Sequence, residues 1–271
     1  MAWITGLQSK TLSNALSKAL SESLCTLKKG FALTASDCVL CGATARGAAQ
    51  QMLCDACDAS LPLRPSEVCP QCGISSPQAL LCGDCLADPP AFDATLAVFT
   101  YRFPFDQLIQ SFKYSANLAL TDFFAARLVE TVRAAQSTLA DVVVPLPLAR
   151  KRLSERGFNQ ALLIAQSVAH KLNLPIETTT LARVHDTLPQ TGLPWKQRHA
   201  NVKGAFACNA DLGGRHVALL DDVMTTGATL NEAARQLKKN GATRVTAWVM
   251  ARAEKEMPAL GWESEVDSLH V

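Results

Sequence analysis

Eight cysteines between Cys38 and Cys85 fall into four Cys-x-x-Cys pairs: Cys38/Cys41, Cys54/Cys57, Cys69/Cys72 and Cys82/Cys85. A two-residue spacer lets both thiolates of one turn reach the same ion, and Zn²⁺ takes four soft ligands in a tetrahedron. Gly42 and Gly73 follow the second cysteine of the first and third pairs, where a tight turn calls for positive φ. The unit Cys-x2-Cys-Gly, loop, Cys-x2-Cys therefore occurs twice. It predicts two structural zinc sites, closed by adjacent pairs as 38/41/54/57 and 69/72/82/85. Spacing alone leaves a cross-braced pairing of alternate knuckles open. With all four positions filled by protein, such sites support folding and docking rather than chemistry. Disulfides would need an oxidising compartment, and a redox Cys-x-x-Cys comes singly at a helix start. Cys25 and Cys208 have no partners at ligand spacing and read as ordinary thiols.

The cysteine-dense stretch divides the rest of the 271 residues. Residues 1–36 read as a helical extension with Leu12, Leu16, Leu20, Leu24 and Leu27 on one stripe, docked on its own protein or on a partner. Residues 37–90 read as the zinc module, 91–256 as an α/β domain, and 257–271 as an acidic tail carrying Glu263, Glu265 and Asp267. An apolar fraction of 48% and a formal charge of +2 exclude a disordered chain. No stretch of apolar residues is long enough to span a bilayer. The first twenty residues lack a basic region followed by a compact apolar block, so a cytoplasmic location is expected.

From Phe92 onward strand-like and helix-like segments alternate. Strands are expected at 96–102, 142–146, 216–221 and 244–251, and helices at 105–115, 118–135, 158–172 and 227–239. This order is the signature of βαβ units and a parallel sheet flanked by helices. The segment Val217-Ala-Leu-Leu-Asp221-Asp222-Val-Met-Thr225-Thr226-Gly227-Ala228-Thr229 carries the most chemistry. A buried strand delivers two carboxylates at its carboxyl end, where open parallel sheets bind ligands. The following helix start offers unpaired N–H groups to an anion, and Gly227 is expected to let backbone approach a phosphate. Vicinal carboxylates suit diol oxygens or a hard divalent cation. A nucleoside-triphosphate P-loop is excluded, because the chain contains no Gly-Lys dipeptide.

Positive charge gathers near the same place. Arg150, Lys151, Arg152 and Arg156 oppose only Glu155 after the strand at 142–146, and Arg183, Lys196, Arg198 and Lys203 oppose only Asp186. Each run alone is an ordinary solvated loop; converging on the Asp-Asp segment, they suit pyrophosphate clamps. Single-stranded nucleic acid is another anion they could hold, although interleaved aromatics are sparse.

Val217–Thr229 resembles the 5-phosphoribosyl-1-pyrophosphate (PRPP) motif of type I phosphoribosyltransferases. The knuckles, Phe112-Lys113-Tyr114, Pro145-Leu-Pro147, Arg156-Gly-Phe-Asn-Gln160 and Arg198-x2-Asn201 resemble the ComF/GntX branch, associated with competence for DNA uptake. The resemblance implies a type I phosphoribosyltransferase-like parallel sheet preceded by a double zinc-knuckle module. It implies that Asp221 and Asp222 hold the ribose hydroxyls with Mg²⁺ nearby, and that Thr225, Thr226, Gly227, Ala228 and Thr229 bind the 5-phosphate. Arg150, Arg152, Arg156 and Arg198 would face pyrophosphate, and 183–198 would form a cover over the substrate. The activity implied is PRPP-dependent transfer to an acceptor that no segment spells out. The alternatives are a non-catalytic single-stranded DNA-binding component that works with competence-machinery proteins, or a PRPP-sensing regulator.

Overall fold

The computed structural model describes residues 37–43, 52–135, 138–185 and 202–254. The leucine stripe, Arg198 and the acidic tail lie outside them. The chain divides into two compact units, Met1–Asp58 and Ala59–Val271.

In the first unit, the Cys38 N–H donates to Ala43 O at 2.8 Å, and the Gly42 N–H to Cys38 O at 2.8 Å, with Gly42 at φ 71°. The turn is a metal knuckle closed by the one residue type that reaches this φ without strain. Cys54 and Cys57 sit at the start of helix α1 (Asp55–Ala59). The second unit repeats both devices. The Cys69 N–H donates to Ile74 O at 2.7 Å and the Gly73 N–H to Cys69 O at 2.9 Å, while Cys82 precedes helix α2 (Gly83–Ala87).

The rest of the second unit is a four-stranded parallel sheet with flanking helices. β1 (Ala94–Thr100) leads through α3 (Phe105–Tyr114) and α4 (Leu120–Ala134) to β2 (Val142–Pro145). α5 (Arg150–Arg156) and α6 (Gln160–Leu172) follow, then a separate antiparallel pair, β3 (Leu181–Arg183) with β4 (Phe206–Cys208). β5 (His216–Met224), α7 (Ala228–Lys239) and β6 (Arg244–Arg252) complete the order. The strand order is β1-β6-β5-β2. Every residue of β6 after Arg244 is buried, which requires cover on both sheet faces. α4 and α6 pack on each other over β1, β6, β5 and β2; α7 packs on β5 and β6.

Local chemistry sets the boundaries. Asn159 caps α6, its Oδ1 accepting the Ala161 N–H at 3.1 Å, and Asn173 ends the helix in the left-handed region. An aromatic column fixes α3 on β1: Phe99 stacks on Phe105 at 4.3 Å, Phe124 meets Phe105 and Phe112, and Phe112 reaches Phe158 at 5.9 Å. Among the described residues no helix is long and apolar enough to cross a membrane.

Three expectations need correction. The strand expected over 216–221 runs on to Met224, because β6 continues to pair with it as far as Met224↔Arg252. Asp221 and Asp222 therefore lie within the strand rather than at its end. The basic run after Pro145, expected as a loop, is the helix α5; its Leu, Arg, Lys and Glu are good helix formers and Gly157, at φ 80°, ends it. Arg183, assigned to a cover, lies in β3.

Candidate functional site

The cysteines gather into the tetrads 38/41/54/57 and 69/72/82/85, with the ligand atoms of each within 4.8 Å of one another. Adjacent knuckles pair, and the cross-brace does not occur. A Zn–S distance of about 2.3 Å implies a tetrahedral S···S edge of about 3.8 Å. Cys41 and Cys54 Sγ stand 3.8 Å apart, and Cys72 and Cys82 Sγ 3.6 Å. Both tetrads thus have the donors and the size for zinc. Burial opposes a Cys38 thiolate, but N–H donors from Cys54, Cys41 and Leu40 outweigh it and bring the thiol down to about 6. In the second tetrad the same balance brings Cys69 to about 7. Burial, and then the neighbouring thiols, push Cys57 and Cys85 up instead, so neither cluster can ionise fully without a cation among its four sulfurs. Cys208 stands apart, its thiol 3.4 Å from Ala210 O.

A cavity of about 1070 Å³ opens at the carboxyl ends of β1, β2 and β5. Its position follows from register. β2 ends at Pro145↔Leu220, whereas β5 continues with β6 alone. From Asp221 onward the β2 side of β5 has no neighbouring strand among the described residues, and the chain leaving β2 turns away to form the wall.

Asp221, Asp222, Thr225 and Thr229 line this cavity. Burial, and then the neighbouring Asp222 carboxylate, push the Asp221 carboxyl up to about 7, against a downward pull from Lys113. A raised acid beside a second acid marks a site short of positive charge. Lys113 supplies part of it, its Nζ standing 2.8 Å from Asp222 Oδ2. A divalent cation fits that deficiency. Thr226, Gly227 and Ala228 do not line the cavity. Thr226 Oγ1 accepts the Ala228 N–H at 3.1 Å, one of the N–H groups at the start of α7. Gly227 sits at φ 79°, and a Cβ there would lie 2.7 Å from Met224 Cε and 3.6 Å from Phe92 Cζ. The backbone conformation alone is reason enough for glycine here, since the Met224 methyl ends a flexible side chain and can yield.

The opposite wall is cationic. Lys151, Arg152 and Arg156 line it, together with Arg183, whose guanidinium lies over the Phe206 ring. Arg150, on the same helix, is exposed and does not. Arg156 lies over the Tyr114 ring at 5.3 Å and donates to Gln160 Oε1 at 3.1 Å. A guanidinium only donates, so this contact fixes the amide orientation of Gln160. Its Nε2 then has no acceptor among the described residues, although Gln160 is 2% exposed and lines the cavity at the start of α6. Sequence reasoning left Lys113 and Tyr114 without roles and gave none to Gln160. Lys113 had no local signal, since its partner is far along the chain; an amide at a helix start beside an arginine was a weak signal for Gln160.

A double zinc ribbon domain model matches residues 32–86, and a phosphoribosyl transferase domain model matches residues 159–270. DNA utilization protein YhgH of Salmonella typhimurium is 35% identical over 205 residues, 74% of this chain and 90% of that protein. Competence protein F of Haemophilus influenzae is 35% identical over 213 residues, 76% and 92% of the two chains. Competence protein ComFC of Bacillus subtilis is 27% identical over 210 residues, 75% and 85%. With the paired cysteine tetrads, the parallel sheet and this extent of similarity, the chain belongs to the ComF/YhgH family of double zinc ribbon proteins carrying a phosphoribosyltransferase domain.

Proposed function

We propose that the chain binds PRPP with Mg²⁺ and transfers the phosphoribosyl group to an acceptor, in a cell process that handles DNA. One observation carries this reading: a single cavity holds an acid pair, threonines at a helix start and a separate cationic wall. Those are the three recognition tasks a phosphorylated ribose with a pyrophosphate leaving group sets.

Asp221 and Asp222 would accept from the ribose hydroxyls and hold Mg²⁺, which neutralises pyrophosphate charge when bound. Thr225 and Thr229, with the α7 N-terminus behind them, would bind the 5-phosphate; Thr226, Gly227 and Ala228 would shape that loop. Lys151, Arg152, Arg156 and the unpartnered Gln160 Nε2 would hold pyrophosphate, joined by Arg198 from the cover. These donors are strongest where charge develops as the C1–O bond breaks, which is where catalysis needs them. The acid pair stabilises the sugar, and nothing in the cavity is assigned as a general base. The eight cysteines would hold two structural Zn²⁺.

Incubating the protein with Mg·PRPP and pooled metabolites, and following pyrophosphate release, tests the reading. Acceptor-dependent release supports a transferase; Mg·PRPP binding without release under any acceptor supports a PRPP-sensing regulator. A second reading, single-stranded DNA binding, draws on the exposed basic helix α5 and on the relatives' names. If α5 contacts phosphates, neutralising Arg150, Lys151, Arg152 and Arg156 should flatten the salt dependence of strand binding.

A further inference from the structure

Three consecutive carbonyls of the Cys69/Cys72 knuckle each accept from a side chain of the same unit. Thr95 Oγ1 donates to Gln71 O at 2.7 Å, Arg252 Nε to Cys72 O at 2.8 Å, and Arg64 to Gly73 O. Arg252 has a second set of partners. Its Nη1 donates to Met224 O at 3.3 Å, to Thr225 O and to Ala253 O at 2.6 Å. The residue ends β6 and is 2% exposed. A buried guanidinium must find acceptors, and these are the ones the fold supplies. One belongs to a cysteine of the metal tetrad, and two belong to the end of β5 and the loop that opens α7. A parallel tie runs from Gln71 Nε2 to Pro90 O and Phe92 O, and Phe92 lies under Gly227.

We propose that Arg252 is a positioning residue that couples the second cysteine tetrad to the 224–229 loop, so that metal in the tetrad sets the loop's affinity for phosphate. The ligand named here rests on the functional reading above; the coupling itself rests on the Arg252 contacts. With metal held by Cys69, Cys72, Cys82 and Cys85, the Cys72 carbonyl is fixed, and Arg252 holds the Met224 and Thr225 carbonyls in register. With metal lost, one end of the guanidinium loses its anchor and the loop samples other conformations. Linkage makes the effect reciprocal: an anion bound at the loop must slow metal loss from this tetrad by the same coupling.

Hydrogen exchange on the full chain, before and after chelation, tests this without a variant. Exchange at 69–85 and at 224–229 should both accelerate, the loop by on the order of tenfold or more, while 217–220 in β5 stays protected. Affinities for inorganic phosphate and Mg·PRPP should fall by on the order of tenfold. In Arg252→Met the loop should exchange fast from the start and chelation should add nothing to it, with Arg252→Lys partly restoring protection. A loosened 69–85 beside an unchanged 224–229 in the unaltered protein would overturn the proposal. So would loss of protection at 217–220 together with the loop, which is unfolding rather than coupling. If the zinc-loaded protein binds neither probe, the functional reading fails, and the exchange result alone still decides the coupling.

Discussion

Replacing Asp221 by Asn should make the Mg²⁺-free protein more stable at alkaline pH, while removing part of the site proposed to bind substrate. The folded state raises the Asp221 carboxyl from 3.8 to about 7. Between those values the folded protein keeps a proton that the unfolded chain has lost, so stability falls as pH rises through that window. Above the folded value the full penalty is present. Three pK units at about 1.4 kcal/mol each put the ceiling near 4 kcal/mol. Asn keeps the shape, and its Oδ1 can accept the Asp222 N–H that Asp221 Oδ1 now accepts at 2.8 Å. The buried charge is lost and the local geometry is not. For a unit of roughly 200 residues, 1 kcal/mol corresponds to about 2–4 °C in Tm, so Asp221→Asn should melt about 5–15 °C higher at pH 8. At pH 4 the two proteins should melt together. Thermal unfolding in Mg²⁺-free buffer across that range is the assay. Adding Mg²⁺ at pH 8 should close the gap by stabilising only the unaltered protein. A variant that melts no higher at pH 8, with an unchanged pH slope, would refute the assignment of a buried, charge-starved acid pair.

Three further outcomes follow from the same contacts. Metal analysis should find about two Zn²⁺ per chain, one per tetrad, and chelation should expose 69–85 to hydrogen exchange. Lys113→Met strands the largely buried Asp222 carboxylate, which should cost about 3 kcal/mol in urea unfolding, and Mg²⁺ alone should restore part of it. Gly227→Ala meets both a φ of 79° and a 2.7 Å contact, whereas Gly157→Ala meets a φ of 80° and nothing within 4 Å. Both should cost about 1–2 kcal/mol in urea unfolding, Gly227→Ala only slightly the more, because the Met224 methyl at the end of its flexible side chain can move aside.

Chemistry that repeats locally was legible in the residues; chemistry that depends on folding was not. The knuckles could be read because a two-residue spacer and a glycine are one turn of chain, and the structure chooses the adjacent pairing that spacing left open. The parallel sheet could be read because strands buried on both faces are short runs of Val, Leu and Ala. The partnership of Lys113 with Asp222 could not, since it depends on how the Phe99–Phe105–Phe124–Phe112 column packs α3 against β1 and α4. Helix α5 was hidden by its charge, which reads as loop although its residues favour helix. The Phe92 ring beneath Gly227 could not be read either, since it comes from a distant part of the chain. Arg252 carries no motif; its importance lies in which carbonyls surround it.

The central claim is that the acid pair and the threonine loop hold a magnesium-bound phosphoribosyl pyrophosphate. Calorimetric titration of Mg·PRPP into the unaltered protein and into Asp221→Asn/Asp222→Asn tests it directly. Each lost charge-assisted hydrogen bond is worth about 1.5–3 kcal/mol, so affinity should fall by roughly two to four orders of magnitude. Zinc content should stay the same, and single-strand binding should hold or rise with two acids gone from a basic cavity. Equal Mg·PRPP affinity in the two proteins would contradict the phosphoribosyl reading and leave nucleic-acid binding as the better account.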